Sequence, residues 1–275
     1  LSYASNYNNY LNKQLKDQPY YFIHGDINNY LLVKKILKKY KPAKIVHMAA
    51  ESHVDRSIHD PNDFINSNIV GTFSLLQQVK KYWEELPSTE KKVFRLIHIS
   101  TDEVFGSLTN KQSAFNEKTP YAPNSPYSAS KAASDHLVRS YYKTYKLPTI
   151  TVNCSNNFGP YQDTEKLIPL VITNAIRNKQ IPIYGQGNQV RDWIHVQDHC
   201  KFINLILDEG SIGETYLLGG NNEISNIELV KLICNHLDKC ISRKKPFREL
   251  IKFVEDRKGH DFRYAVDTSK IEKEF

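Results

Sequence analysis

A nearly continuous apolar run, Phe94-Arg-Leu-Ile-His-Ile-Ser100, leads directly into Thr101-Asp-Glu103. Such runs are typical of parallel strands that are covered on both faces. Open α/β sheets bind ligands at the carboxyl ends of their strands, which is where Asp102 and Glu103 fall. Neighbouring residues of a straight strand point to opposite faces, so both acids can serve one substrate only if the strand has ended, as we expect. Gly106 then permits a turn. The alternative is a pair of solvated loop carboxylates.

Apolar runs alternate with helical patterns over the first two-thirds of the chain, which predicts a parallel sheet covered by helices. Ser125 before Pro126 is a good N-cap beside a residue suited to the first helical position, so a helix should begin there. The other predicted strands are 20–24, 44–49 and 149–154, and the predicted helices are 29–40, 61–86 and 126–145.

Prolines, glycines and aromatic residues become denser after about residue 158, which predicts a smaller second lobe. Ser225-Asn-Ile-Glu228 matches a capping box at the start of an amphipathic helix that runs to about Leu237. We therefore divide the chain into residues 1–158 and residues 159–275, with the chain crossing between the two lobes.

The amino-acid composition and charge distribution argue against a membrane protein and against a nucleic-acid-binding protein. The sequence has 275 residues with 40% hydrophobic and 24% charged residues, as expected for a soluble globular protein. No apolar run approaches the roughly 18–20 residues that cross a bilayer, and no signal core is present, so we expect a cytosolic protein without a membrane partner. The net charge of +7 is scattered among acidic residues, which argues against nucleic acid. The four cysteines form no CxxC pair.

Tyr127 and Lys131 lie four residues apart in the helix that begins at Pro126, and so share one of its faces. An ammonium beside a phenol lowers the phenol pKa, which makes Tyr127 a candidate base for a sugar hydroxyl. A tyrosine packed beside a solvated lysine is the alternative, because the spacing recurs at Tyr30/Lys34, Tyr40/Lys44 and Tyr142/Lys146.

Two further clusters follow predicted strands. Small Ala49 and Ala50 would let a flat cofactor approach closely, and the amides of the 153–157 segment could hold hydroxyl groups. His195 and His199 share a helical face, but no further ligand completes a metal site, so we expect no metal.

Taken in order, eight segments resemble the extended short-chain dehydrogenase/reductase family and, within it, the dTDP-glucose 4,6-dehydratases. The resemblance implies a Rossmann-like, doubly wound parallel sheet with a smaller C-terminal α/β lobe for the substrate. The segments are Ala49-Ala-Glu-Ser-His-Val-Asp-Arg-Ser57, Asn68-Ile-Val-Gly-Thr72, Ile99-Ser-Thr-Asp-Glu-Val-Phe-Gly106, Tyr127-Ser-Ala-Ser-Lys131, Asn153-Cys-Ser-Asn-Asn157, Glu165-Lys-Leu-Ile-Pro169, Arg191-Asp-Trp193 and Asp256-Arg-Lys-Gly-His260.

The resemblance also implies a catalytic cycle with NAD as cofactor and dTDP-glucose as substrate. Tyr127 would take the proton of the 4-hydroxyl as hydride leaves C4, with Thr101 sharing the hydrogen bond and Lys131 ordering the nicotinamide ribose. Glu103 would remove the C5 proton while protonated Asp102 donates to the departing C6 hydroxyl, and hydride would return to C6.

Binding roles follow from the same resemblance. It places Asp26 and Ile27 near the adenine, Ala49, Ala50 and Ser67 along the cofactor, and Asn157 near the nicotinamide. It places Ser52 and Asn156 at the hexose, and Lys166, Leu167, Pro182, Tyr184, Arg191, Asn226, Arg257 and His260 at the nucleotide diphosphate. A homodimer through the helices near 61–86 and 126–145 is implied as well.

Two departures and two alternatives accompany this hypothesis. No GxxGxxG or GxGxxG turn occurs in the sequence, and the first βαβ unit and the C-terminal end of the family have no counterpart. The sequence is then either a fragment or a short product, and a short product should bind NAD weakly. A UDP-sugar dehydratase or epimerase of the same scaffold, or a non-catalytic relative, would share most of these features.

Overall fold

A four-stranded parallel sheet forms the centre of the fold. The computed structural model describes residues 20–275. The strand order is β1-β2-β3-β7, and the register pairs Ser100 with Asn153 and Thr101 with Cys154, so β2 and β3 end side by side. The strands are β1 Lys44–His47, β2 Arg95–Thr101, β3 Thr149–Cys154, β4 Asn156–Phe158, β5 Ile181–Tyr184, β6 Val190–His195, β7 Thr215–Leu218, β8 Glu223–Ser225 and β9 Ile251–Val254.

Helices cover both faces of this sheet. Leu96 of β2 packs into a cluster with Leu76, while its neighbour Ile97 packs on the other face with Ile206. This alternation explains the continuous apolar run of β2. The α-helices are α1 Tyr30–Tyr40, α2 Val54–His59, α3 Asn62–Phe64, α4 Thr72–Glu85, α5 Ser88–Val93, α6 Pro126–Tyr145, α7 Leu167–Ile176, α8 Val196–Glu209, α9 Asn226–Cys240 and α10 Ser269–Glu274.

Local signals set the ends of α6 as predicted. The Ser125 side chain accepts from the Ser128 backbone N–H, Pro126 occupies the first turn, and Lys146 closes the helix in the left-handed conformation. The helix therefore presents Tyr127 and Lys131 from a fixed first turn, directly beside β2.

The predicted helix 61–86 is continuous but changes its winding. A π-helical segment, Ile65–Gly71, joins α3 to α4. Buried Asn68 lies in this segment; its Nδ2 donates to the Glu51 carbonyl and to Ser130 Oγ, and its Oδ1 accepts from the Glu51 N–H. The wider π turn thus aims one amide at both the loop after β1 and helix α6.

Two smaller sheets are formed mainly by residues after 158 and include the short strand β4 just before that position. Strands β4, β6 and β8 form one, and β5 and β9 form the other. The predicted capping box at Ser225 and Glu228 is present, and α9 continues to Cys240. Strand β7 returns to the large sheet beside β3, so the chain crosses back after the smaller sheets begin.

One predicted strand is wrong. Residues 20–24 are irregular and exposed, because within residues 20–275 no strand pairs with them and a strand needs a partner for its backbone groups. The expectation that the family's first βαβ unit has no counterpart concerns residues outside the described range. No helix between residues 20 and 275 is long and apolar enough to cross a membrane.

Candidate active site

Strand β2 ends one residue before the acidic pair. A 3-10 turn, Asp102–Phe105, follows it, and Thr101 Oγ1 accepts from the Glu103 backbone N–H at 3.2 Å. Gly106 then reverses the chain at φ 87°, where a Cβ would lie 2.4 Å from the Ala122 carbonyl oxygen. The turn replaces the alternation of a strand, so both acids can face the same space, as the sequence required.

Asp102 is held as a neutral acid. Its side chain is 2% exposed, and Oδ1 accepts from the Thr101 hydroxyl at 3.2 Å. Burial, with the charge of Glu103 beside it, raises the pKa of Asp102 to about 8. Oδ2 is buried and has no hydrogen-bond partner among the residues described. At neutral pH this carboxyl is therefore protonated and can donate to a ligand.

Glu103 has a different electrostatic environment. Burial raises its pKa, but the cations Arg191 and Lys166 act in the opposite direction. Its side chain is partly exposed and lines a cavity. Arg191 acts on both carboxyls, whereas Lys166 and Arg257 act on Glu103, whose pKa nevertheless remains raised overall.

Tyr127 lies beside this pair, and its protonation differs from the prediction. The sequence argument expected Lys131 to lower the pKa of Tyr127. The pKa is instead raised well above its ordinary value, because the phenol is buried and because Glu103 adds negative charge. The Thr101 hydroxyl, by hydrogen bonding, favours phenolate. The four-residue spacing predicted that Lys131 lies near Tyr127, but it could not predict that acidic residues also lie near Tyr127.

The Lys131 ammonium points into the carboxyl end of the sheet. Its side chain is 4% exposed, and Nζ donates to the Ile99 carbonyl oxygen at 2.8 Å. Within residues 20–275 no second acceptor contacts Nζ, so two of its three N–H groups can bind a ligand diol.

A cavity of about 430 Å³ opens from Glu103 towards the smaller sheets. Among the predicted substrate residues, only Thr101 is absent from its lining. The predicted residues that line it are Ser52, Asn156, Lys166, Leu167, Pro182, Tyr184, Arg191, Asn226, Arg257 and His260.

Further polar side chains line the cavity and contact one another. Arg257 Nη2 donates to Asp55 Oδ2 at 2.9 Å, and the Tyr184 hydroxyl donates to the same oxygen at 3.3 Å. The Arg191 guanidinium stacks on Tyr264 at 4.1 Å and donates to backbone carbonyls, so it is fixed in place. Sequence reasoning missed Asp55, although it lies inside a quoted segment, because nothing in the sequence showed its cation partner.

Other lining residues were also missed. Glu165 pairs with Arg56 at 2.7 Å, and Asp261 accepts from the Tyr264 hydroxyl at 2.6 Å. Glu165 comes just before the predicted site residue Lys166, and Asp261 comes just after His260. These sequence positions could have suggested that both line the site.

The predicted cofactor residues lie at the neighbouring strand ends. Asn157 is fixed by its Oδ1, which accepts from His199 Nδ1 at 2.8 Å, while its Nδ2 donates to the Ser155 carbonyl at 3.1 Å. Burial lowers the pKa of His199 to about 4, so this histidine is a neutral donor. Ala49 and Ala50 follow β1 and present only small side chains.

The predicted adenine residues pack on the π segment that carries Ser67. A Cβ on Gly71 would lie 2.7 Å from Ile27 Cδ1, so the Asp26–Ile27 loop touches the helix there. These contacts and the free Lys131 donors fit the two ends of a dinucleotide, whereas the sequence carries no Gly-rich turn for its pyrophosphate. Between residues 20 and 275 no cluster of histidines, cysteines and acids could hold a metal ion.

Comparison with known proteins identifies the family. The family described as GDP-mannose 4,6 dehydratase matches residues 1–275. A dTDP-glucose 4,6-dehydratase of Xanthomonas campestris pv. campestris (strain B100) is 51% identical over 276 residues, which cover 100% of this chain and 78% of the relative. A solved dTDP-glucose 4,6-dehydratase of Streptomyces venezuelae with NAD and TYD bound has a TM-score of 0.89 at 42% identity, covering 100% of this chain and 79% of that one.

A UDP-glucose 4-epimerase of Thermus thermophilus in complex with NAD shares the fold alone, with a TM-score of 0.80 at 22% identity over 95% of this chain and 81% of that one. The predicted Rossmann-like α/β fold is therefore confirmed. The family model matches all 275 residues of this chain, and the Xanthomonas campestris relative is about half identical to it in sequence. The chain therefore belongs to the dTDP-glucose 4,6-dehydratases of the GDP-mannose 4,6 dehydratase family.

Proposed function

We propose that this chain is an NAD-dependent hydro-lyase that converts dTDP-glucose to dTDP-4-keto-6-deoxyglucose. One observation carries the proposal: a buried, protonated Asp102 lies next to Glu103, whose raised pKa is opposed by the charges of Arg191 and Lys166. Eliminating water needs an acid for the leaving hydroxyl and a base for the adjacent C–H at the same time. An acidic pair with unequal pKa values supplies both roles.

Tyr127 would act first, on the 4-hydroxyl of the hexose. It would accept the hydroxyl proton as the phenolate, becoming the neutral phenol, and the Thr101 hydroxyl would share the hydrogen bond. A bound NAD⁺ would supply reversible hydride storage, from C4 at the start and to C6 at the end, and a positive charge that favours phenolate. Lys131 and Asn157 would hold the nicotinamide end of the cofactor. The rest of the cofactor would contact Asp26, Ile27, Ala49, Ala50 and Ser67.

The acidic pair would act second. The 4-ketone acidifies the C5–H bond, and the Glu103 carboxylate removes that proton. Asp102 donates its proton to the C6 oxygen, which leaves as water. Burial of Asp102 keeps this proton in place until the leaving group approaches, because the charged carboxylate is poorly solvated there.

The cavity beyond Glu103 fits the nucleotide diphosphate. Arg257 and Lys166 supply positive charge there, and buried Asn226 Oδ1, which has no partner among the described residues, can accept from a ligand N–H or hydroxyl. Ser52 and Asn156 line the end nearest the acids and would contact the hexose. The division into lobes 1–158 and 159–275 would then separate cofactor from nucleotide sugar.

We further propose a cytosolic homodimer. The helix that runs through 62–85 exposes Ile65, Val70 and Phe73, the last two each 45% exposed, as a face for the partner near α6. All four cysteines are unpaired, which fits a reducing compartment.

Incubation with NAD⁺ and dTDP-glucose, followed by alkali, tests the activity through the absorbance of the 4-keto-6-deoxy product. UDP-glucose in a parallel reaction tests the nucleotide. Formation of dTDP-galactose instead would indicate an epimerase, and no turnover by folded protein would indicate a non-catalytic relative.

A paired variant tests the assignment of roles. Asp102→Asn with Glu103→Gln should abolish loss of water while reduction of NAD⁺ remains detectable, because Tyr127 is unchanged. Glu249→Gln, which alters an exposed acid outside the cavity that pairs with Lys245, is the matched control and should retain product formation.

A further inference from the structure

A buried carboxylate behind the proposed site accepts four hydrogen bonds. Asp135 lies on α6, is 3% exposed and has no role in the steps above. Its donors are His98 Nε2 at 3.0 Å, Ser100 Oγ at 2.8 Å, the Tyr121 hydroxyl at 3.0 Å and Asn153 Nδ2 at 3.1 Å.

This carboxylate is charged, and its hydrogen-bond donors are neutral. Burial lowers the pKa of His98, so the imidazole does not neutralise Asp135. Burial raises the pKa of Asp135, but the hydrogen bond and charge interaction with His98, followed by the charge of Lys131 and the hydrogen bond from Ser100, outweigh it, so the pKa is lowered overall. A buried anion in this arrangement needs a cation.

Lys131 is that cation. It lies one helical turn before Asp135, on the same face of α6. Burial lowers the pKa of Lys131, and Asp135 is the main group that acts in the opposite direction, followed by Cys154. The two side chains make no direct hydrogen bond, since Nζ donates to the Ile99 carbonyl oxygen. The other titratable groups around them are His47, His98 and Tyr121.

We infer that Asp135 is a positioning residue for the dehydratase reaction: a fixed counter-charge that keeps buried Lys131 protonated, with its two free N–H groups directed at the cofactor. The inference rests on the proposed function for its link to turnover. Asp135 acts through Lys131 and not directly on the base, because the acids that raise the Tyr127 pKa are Glu103 and Asp102.

Asp135→Asn removes the charge with little change of shape. The amide oxygen can retain the donors on Oδ2, and the new NH₂ can donate to His98 Nε2, since His98 Nδ1 has no partner among the described residues and can carry the ring proton. Tyr121→Phe is the matched control, because it removes one hydrogen bond from Asp135 and leaves the charge.

The first measurement does not depend on turnover. Lysine labelled with ¹³C at Cε is titrated by NMR in the ligand-free protein, and Lys131→Met assigns the Lys131 signal. We expect Lys131 to stay charged through neutral pH in the parent, to titrate at lower pH in Asp135→Asn, and to be unmoved in Tyr121→Phe. An equal change of the Lys131 pKa in Asp135→Asn and Tyr121→Phe, or no change in Asp135→Asn, would overturn the inference. If Asp135→Asn does not fold, titration of parental Lys131 below pH 7 would overturn it and a charged Lys131 would support it.

The second measurement is the pH profile of turnover. Asp135→Asn should slow product formation about tenfold or more at pH 8, and less at pH 6, where Lys131 is protonated again. A uniform loss across pH would indicate a purely structural role. If the parent protein is inactive, the proposed function fails while the NMR titration still decides the role of Asp135.

Discussion

Replacing Asp102 with asparagine should stabilise the ligand-free protein, and increasingly so as the pH rises. The pKa of Asp102 is about 8 in the folded protein and about 3.9 in an unfolded chain. A raised pKa means that the folded state holds a proton that the unfolded state has lost between these values. Wild-type stability therefore falls as the pH rises from 4 to 8, and asparagine does not show this loss.

The size of the effect follows from the shift. Each pKa unit corresponds to about 1.4 kcal/mol, so the free-energy difference between Asp102→Asn and wild type should grow by about 4 kcal/mol between pH 5 and pH 8.5. Glu103 is present in both proteins, and its contribution largely cancels. Urea unfolding at pH 5, 7 and 8.5 measures the difference.

Asp135→Asn should change the free energy of unfolding in the opposite direction. The pKa of Asp135 is lowered, so its carboxylate stabilises the fold above its unfolded pKa and loses this effect as the pH falls. That variant should be destabilised at neutral pH and approach wild type in acid. A stability gain in Asp102→Asn that is the same at all three pH values would refute the reasoning about its burial.

Three further substitutions test other parts of the site. Tyr127→Phe should lower kcat by about 10²–10⁴ and leave the urea midpoint unchanged, since only the proton-transfer group is lost; an unchanged kcat would remove Tyr127 from the mechanism. Asn68→Ala should lower the free energy of unfolding by about 2–4 kcal/mol, because it breaks both backbone hydrogen bonds to Glu51, and thermal melts that match wild type would contradict this. Gly106→Ala should cost about 1–3 kcal/mol or more through its φ of 87° and the approach to Ala122; a neutral effect in urea unfolding would show that the turn can relax.

Patterns in neighbouring residues predicted the frame of the site well. The cap at Ser125 and the capping box at Ser225 depend on contacts within a few residues, and the strand before Thr101 shows in its own continuous apolar run; all three appear as expected. The end of β2 at Thr101 could also be anticipated, because two acids on a continuing strand would face opposite sides.

Features that depend on distant residues were not predictable from these patterns. The raised pKa of Tyr127 depends on its burial and on Glu103, which lies in a different element of the fold. The four donors to Asp135 come from three separate segments of the chain, and only the fold brings them together. Residues 20–24 have the composition of a strand, but pairing is a tertiary property and no partner lies beside them in the described range.

The return of β7 to the large sheet has a consequence for biosynthesis on the ribosome. Strand β3 is buried except at its last residue, and one of its edges stays open until Thr215–Leu218 arrives. Residues of β4, β5 and β6 therefore leave the ribosome before the central sheet can be completed, and the nascent chain has an unpaired strand edge in the interval. A chaperone that covers extended segments would have its natural target in β3 at that stage.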